Sequence, residues 1–283
     1  MTKGSPGVAL DGSLELDPQW TTKILSNFIR TELHRTGLRD LVLGLSGGID
    51  SAVAVYLAAR TIEPPRIHAY LLPYRTSSED SLRDARSVVD DLGIDAETIE
   101  ISPIVDGFEK TTGEVGRLRL GNVMARARMT LLYDRSAAHR ALVLGTSNKT
   151  ELLLGYGTLH GDLASALNPI GDLYKTQIRS LAEHLGVPES IRTKPPSADL
   201  WPDQNDEDEL GFRYEEVDRL LALLIDARVS RATAIEAGFS AGLIDDVTHR
   251  IVRTQFKRKL SIIAKISTRS IGWDFRYPRD WMT

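Results

Sequence analysis

The sequence predicts an α/β protein: a doubly wound parallel sheet with a small helical extension at its C-terminal end. Two observations predict it. Runs of strand length, residues 41–45, 67–72, 96–101 and 141–145, alternate with stretches of helical length. Strands separated by helices give right-handed parallel crossovers, and so helices on both faces of one sheet. Two of the runs, 41–45 and 141–145, pass straight into polar loops that open helices. In such sheets ligands sit at the carboxyl ends of the strands, where these loops lie.

The 283 residues suit one large domain or two small ones, and no repeat or clear linker divides them. The reading is a flexible leader over 1–15 and a single domain over 16–283, its helical C-terminal part covering about 212–283. A hydrophobic content of 42% supports a sizeable core. A net charge of −4 gives no electrostatic case for nucleic acid as a partner. No run is long and apolar enough to span a membrane, and the N-terminus has no signal-peptide core. A cytoplasmic enzyme fits. The absence of cysteine excludes disulfides, thiolate zinc sites and a cysteine nucleophile.

Each element has its own signal. Asp17-Pro18 joins an N-cap to proline at the first helical position, and Ile24, Phe28, Ile29 and Leu33 fall on one face of that helix. After the 46–51 turn, a second helix runs to about residue 60. The strand at 67–72 ends at Pro73. Ser78-Glu79-Asp80 opens a third helix, which Gly93 stops. A strand at 96–101, a short helix at 103–110 and a long one at 118–139 follow. The fully apolar run 141–145 reads as a central strand. Residues 155–172, with Gly155, Gly157, Gly161 and Gly171, are too irregular for a simple connection and read as a functional or mobile loop. A helix covers 174–185. Prolines keep 194–202 out of a helix, and the acidic run 203–209 reads as a solvated, mobile loop. Amphipathic helices at 214–225 and 243–256 come last. The final segment is basic, with Arg250, Arg253, Lys257, Arg258, Lys259, Lys265 and Arg269, and is either a solvated face or a phosphate-facing tail.

The candidate site begins where Gly44-Leu45 enters Ser46-Gly47-Gly48-Ile49-Asp50-Ser51. Strand, glycine turn and helix together offer backbone N–H groups and a positive helix end to an anion, best a phosphate. The turn lacks both the lysine of G-x-x-x-x-G-K-[ST] and the pattern G-x-G-x-x-G. Asp50 would repel phosphates unless a cation lay between them, so it implies Mg2+. Thr146 and Glu151 follow the 141–145 strand and would face the same crevice, Glu151 completing the Mg2+ site with Asp50. Its other reading is stabilisation of a helix dipole. Lys175 opens a helix against the macrodipole, which makes sense if an anion neutralises it; otherwise it is an exposed lysine. Arg126 and Arg128 lie in the long helix among small and apolar residues suited to close packing, such as a subunit contact. They are either solvated or functional.

Residues 46–51 resemble the S-G-G-x-D-S loop of the N-type ATP pyrophosphatases, Rossmann-like proteins of the adenine nucleotide alpha hydrolase type, which split ATP between its α and β phosphates. The segments 121–129, 145–157, 168–176, 194–200, 206–211 and 272–276, in that order, are similar to NAD synthetases. The resemblance runs from about residue 20 to the end. It implies that the carboxylate of nicotinic acid adenine dinucleotide (deamido-NAD) attacks the α-phosphate of ATP, and that ammonia displaces AMP from the adenylate to give NAD+. It implies ATP binding by residues 44–51 with Thr146, Lys175 and Ser197, and catalytic roles for Asp50 and Lys175. Asp50 and Glu151 would ligate Mg2+, and Arg126, Asn122, His160, Asp162 and Lys257 would bind the dinucleotide. Segment 195–211 would be a lid that excludes water from the adenylate. Leu159, Ala166 and Phe256 depart from the bacterial pattern on the nicotinate side. The family implies a homodimer, with the 118–139 helix as the candidate contact. Glutamine-using members carry an extra amidase domain with a cysteine, so this cysteine-free chain is expected to use free ammonia or ammonia from a separate glutaminase. Other adenylating amidotransferases, tRNA-modifying ligases and a non-catalytic nucleotide-binding regulator are the alternatives.

Overall fold

Asp17 starts the chain's first helix by accepting the N–H groups of Gln19 and Trp20 at 2.9 and 3.0 Å, and α1 runs over Pro18–Thr36. The computed structural model describes residues 14–201, 204–259, 261–271 and 274. Nearly all of the 1–15 leader, and the 272–276 motif apart from Asp274, lie outside the described residues. The elements that follow are β1 (Asp40–Gly44), α2 (Ile49–Ala59), β2 (Ile67–Leu71), α3 (Glu79–Leu92), β3 (Asp95–Thr98), α4 (Ser102–Thr112) and α5 (Arg117–His139). Next come β4 (Ala141–Val143), α6 (Lys149–Leu154), α7 (Lys175–Leu185), α8 (Glu189–Thr193), α9 (Asp206–Leu210), α10 (Tyr214–Leu221), α11 (Arg231–Glu236) and α12 (Ala241–Arg253).

The four strands are parallel in the order β3-β2-β1-β4. Leu41 pairs with Ile67, Gly44 with Tyr70, and Asp40 with Ala141. Side chains alternate along β1. Leu41 and Leu43 join Ile29, Leu57 and Ile178 on one face, while Val42 joins Tyr70, Met124 and Val143 on the other. Helices α1, α2 and α7 thus cover one face, and α4 and α5 the other, as the doubly wound reading requires. A third apolar cluster, including Leu154, Tyr174, Leu210, Tyr214, Val217 and Val247, joins α6 and α7 to the C-terminal helices.

Three expectations need correction. β4 lies at the end of the sheet order, not its centre. It is apolar because α5 covers it and because Leu144 bridges to Leu167 of the following loop, so its composition reports burial, not centrality. Ile24 points to solvent at 62% exposure, and Ser26, not Ile24, shares the buried face with Ile29 and Leu33. The acidic run is not a solvated loop: Asn205 caps α9, which buries Asp206 and Leu210. The short helices α8 and α11 carried too few periodic residues to be read from the sequence.

Candidate active site

The turn after β1 owes its shape to Gly47. Its φ is +77°, and a Cβ there would lie 2.1 Å from the Ser81 carbonyl oxygen, so a side chain has no room. Gly48 N–H donates to Ser46 Oγ at 3.2 Å, and Ser51 Oγ donates to the Gly48 carbonyl at 3.0 Å. These bonds curl the turn on itself. Among the described residues no side chain caps α2, which leaves its first N–H groups and positive dipole end for an anion. Ile49 belongs to the core; Ser46, Gly48, Asp50 and Ser51 line a cavity of about 470 Å³ with Gly44 and Leu45.

The second loop is set by Asn148, which is fully buried. Its Oδ1 accepts the Glu151 N–H at 3.0 Å, Glu151 Oε2 accepts the Asn148 N–H at 3.2 Å, and its Nδ2 donates to Asp50 Oδ1 at 2.9 Å. One side chain therefore caps α6 and ties the two loops together. Lys175, at the start of α7, brings the charge. Its Nζ donates to Asp50 Oδ2 and lies 3.6 Å from Glu151 Oε1. Burial alone would lower this ammonium's pKa. The carboxylates of Asp50 and Glu151 outweigh it and hold Lys175 above its usual value. Glu151 is pushed up to about 8, first by burial and then by the charge of Asp50. The dipole objection to Lys175 is answered too. Buried Asp218 accepts from the Thr176 N–H and hydroxyl, both at 2.9 Å, and so supplies negative charge at the start of α7.

Asp206 enters the same cluster from α9. It accepts from the Tyr156 hydroxyl at 2.9 Å and the Tyr214 hydroxyl at 3.4 Å, and the Tyr214 ring lies 5.4 Å from Lys175 Nζ. The 194–201 segment also lines the cavity, with Ser197, Asp199, Leu200 and Trp201. Asp199, strained at φ +50°, accepts the Ser78 N–H at 3.1 Å, which clasps this segment to the start of α3.

With this geometry in place, the likeness to known proteins is direct. The family model described as NAD synthase matches residues 21–261. A relative from Chlorobium phaeobacteroides named NH(3)-dependent NAD(+) synthetase is 55% identical over 268 residues, covering 95% of this chain and 97% of the relative. The chain belongs to the NAD synthase family. Solved structures agree. One titled NH3-dependent NAD synthetase, from Campylobacter jejuni, shares 37% identity at a TM-score of 0.75, over 88% of this chain and all of its own. Another, titled NMN synthetase, from Francisella tularensis, shares 33% identity at a TM-score of 0.80, over 88% of this chain and 99% of its own.

Against the roles implied by NAD synthase resemblance, the predicted residues divide. Asp50, Thr146, Glu151, Lys175 and Ser197 all line the one cavity. So do Asn122, Asp162 and Lys257. Asn122 accepts from the Thr158 hydroxyl at 2.8 Å, Asp162 accepts the Thr158 N–H at 2.8 Å, and Lys257 Nζ donates to the Gly155 and Gly157 carbonyls at 2.7 Å. Arg126 and His160 are exposed and do not line the cavity; Arg126 Nε donates to the Leu159 carbonyl at 3.2 Å. Of the basic tail, Arg258 binds the carbonyls of Leu152 and Leu153, where it satisfies the end of α6. Sequence reasoning missed Asn148, whose signal was an N-cap three residues before Glu151. It also missed Asp206, hidden among four consecutive acids.

Asp50 and Glu151 offer hard oxygens, close together on one cavity with the 46–51 turn, which suits Mg2+. Among the described residues no three His, Asp or Glu side chains form a metal cluster, so the rest of a Mg2+ shell would come from phosphate oxygens and water.

Proposed function

We propose that this enzyme amidates deamido-NAD to NAD+ with ammonia, at the expense of ATP cleaved to AMP and pyrophosphate. The observation that carries the reading is the joining of Asp50, Glu151 and Lys175 at the mouth of an uncapped, glycine-turned helix start. That is an electrostatic arrangement for phosphoryl transfer, where positioning and charge neutralisation carry most of the catalysis.

In this reading the 46–51 turn holds the β and γ phosphates, and Thr146 and Ser197 position the nucleotide. Lys175 adds positive charge at the phosphates. Asp50 and Glu151 would hold Mg2+, which when bound neutralises charge on the phosphate oxygens. Asn122, Asp162 and Lys257 orient the dinucleotide within the cavity, and Arg126 and His160 act from its outer rim. The substrate carboxylate oxygen forms a bond to the α-phosphorus while the bond to the β-phosphate oxygen breaks. Ammonia then bonds to the acyl carbon, the bond to AMP breaks, and nitrogen releases a proton. The 195–211 segment covers the adenylate against water. A homodimer with α5 at its contact, and a cytoplasmic location, complete the proposal.

The test is a product assay with Mg2+, ATP, deamido-NAD and either ammonium or glutamine. NAD+ is expected with ammonium and not with glutamine alone. Asp50→Asn should lower turnover by on the order of 100-fold or more, since several kcal/mol of charge stabilisation depend on that ligand, while the protein stays folded. The similar NMN synthetase structure makes nicotinic acid mononucleotide the second substrate to assay. Faster turnover of the mononucleotide would replace the dinucleotide reading.

A further inference from the structure

Among the described residues three cations line the cavity, and protein groups engage the reactive ends of two. Lys175 is paired with Asp50 and Glu151. Lys257 donates to the two loop carbonyls of Gly155 and Gly157. Arg128 differs. Its Nε donates to the Leu72 carbonyl at 2.9 Å, which fixes the plane of the guanidinium. Its remaining N–H groups have no hydrogen-bond or ion-pair partner among the described residues.

The side chain is half-buried on the cavity wall. Burial lowers its pKa, and the more distant charges of Asp199 and Asp162 act in the opposite direction. An arginine stays charged in a protein, and a desolvated charge without a partner is costly. Six carboxylates line the same cavity (Asp50, Glu151, Asp162, Asp199, Asp206 and Glu209), yet none is in ion-pair contact with Arg128. Its free fork is therefore not explained as a strut of the wall.

Its location narrows the ligand. Gly44 pairs with Tyr70, and the Leu45 N–H donates to the Tyr70 carbonyl at 2.9 Å. Ser46 and Leu72 are the residues two places beyond that pair, just past the ends of β1 and β2, and both line the cavity. Arg128 is thus anchored beside the phosphate cradle. We propose that Arg128 binds a phosphate oxyanion of the substrates on the β2 side of the 46–51 turn. A planar fork suits two phosphate oxygens at once.

This inference rests on the functional reading above, and the experiment separates the two. Mg2+–ATP and deamido-NAD are titrated separately by calorimetry into wild type, Arg128→Gln and Arg128→Lys, with melting temperatures measured alongside. Gln keeps a donor for the Leu72 carbonyl and removes the charge; Lys keeps the charge and removes the fork. Arg128→Gln is expected to melt near wild type and to bind one of the two ligands about 10- to 100-fold more weakly, the loss of a charged hydrogen bond. Arg128→Lys should fall between. Loss for ATP assigns the triphosphate, and loss for the dinucleotide assigns its pyrophosphate. Wild-type affinity for both ligands in Arg128→Gln overturns the proposal. If that variant does not fold, Arg128→Lys decides: a loss of about tenfold for one ligand supports the assignment, and parity for both overturns it. A wild-type protein that binds neither ligand overturns the functional reading, and this assignment with it.

Discussion

Removing the Lys175 ammonium would leave Asp50 and Glu151 facing each other with no cation between them. Breaking a buried pair in this way costs about 3–5 kcal/mol, and Glu151, already inclined to hold a proton, brings the loss toward the lower figure. Lys175→Met should therefore unfold at lower urea concentration and lose turnover; unchanged stability would show that the pair is not formed in solution. Glu151 makes the metal-free protein pH-dependent. Its folded pKa lies above its unfolded value of 4.5, so its contribution is fully present below that pH and is lost as pH rises through about 8. The stability difference between wild type and Glu151→Gln should fall across that window, and a difference that stays flat would contradict the burial of this carboxyl. The sequence named Asp50, Glu151 and Lys175 because each sits at a fixed point of a loop–helix junction. It could not name Asp206, because four adjacent acids look alike until one of them turns inward between Tyr156 and Tyr214.

At the scale of elements, the contact between α5 and the 194–201 segment tests the proposed lid. A Cβ on Gly121 would lie 3.1 Å from Leu200 Cδ1 and 3.3 Å from Trp201 Cζ3. Gly121→Val pushes that segment off α5 while helix propensity slightly favours the change. The variant should stay folded but let water reach the adenylate, so AMP formed per NAD+ should rise above one. A ratio held at the wild-type value would remove the lid role. Helix boundaries were legible where caps mark them, at Asp17, Ser78 and Gly93. Strand position was not. An apolar run reports that both faces are covered, and β4 achieves this at the edge through α5 and the Leu144–Leu167 bridge. Helix α9 was illegible because five residues hold too little periodicity, and its acids suggested solvent.

For the whole molecule, the doubly wound architecture brings loops from β1, β4 and the C-terminal helices to one end of the sheet, where one cavity receives them. That convergence was legible because the runs that became β1 and β4 each end in a polar turn. The packing of the C-terminal helices against α6 and α7 was not, since it depends on tertiary contacts between distant segments. The central claim is that the 46–51 turn holds a leaving pyrophosphate while the α-phosphate is attacked. Phosphorus NMR of the products formed from ATP, Mg2+, deamido-NAD and ammonium tests it most directly. The account predicts AMP and pyrophosphate in equal amounts, matched by NAD+; ADP and inorganic phosphate would contradict it.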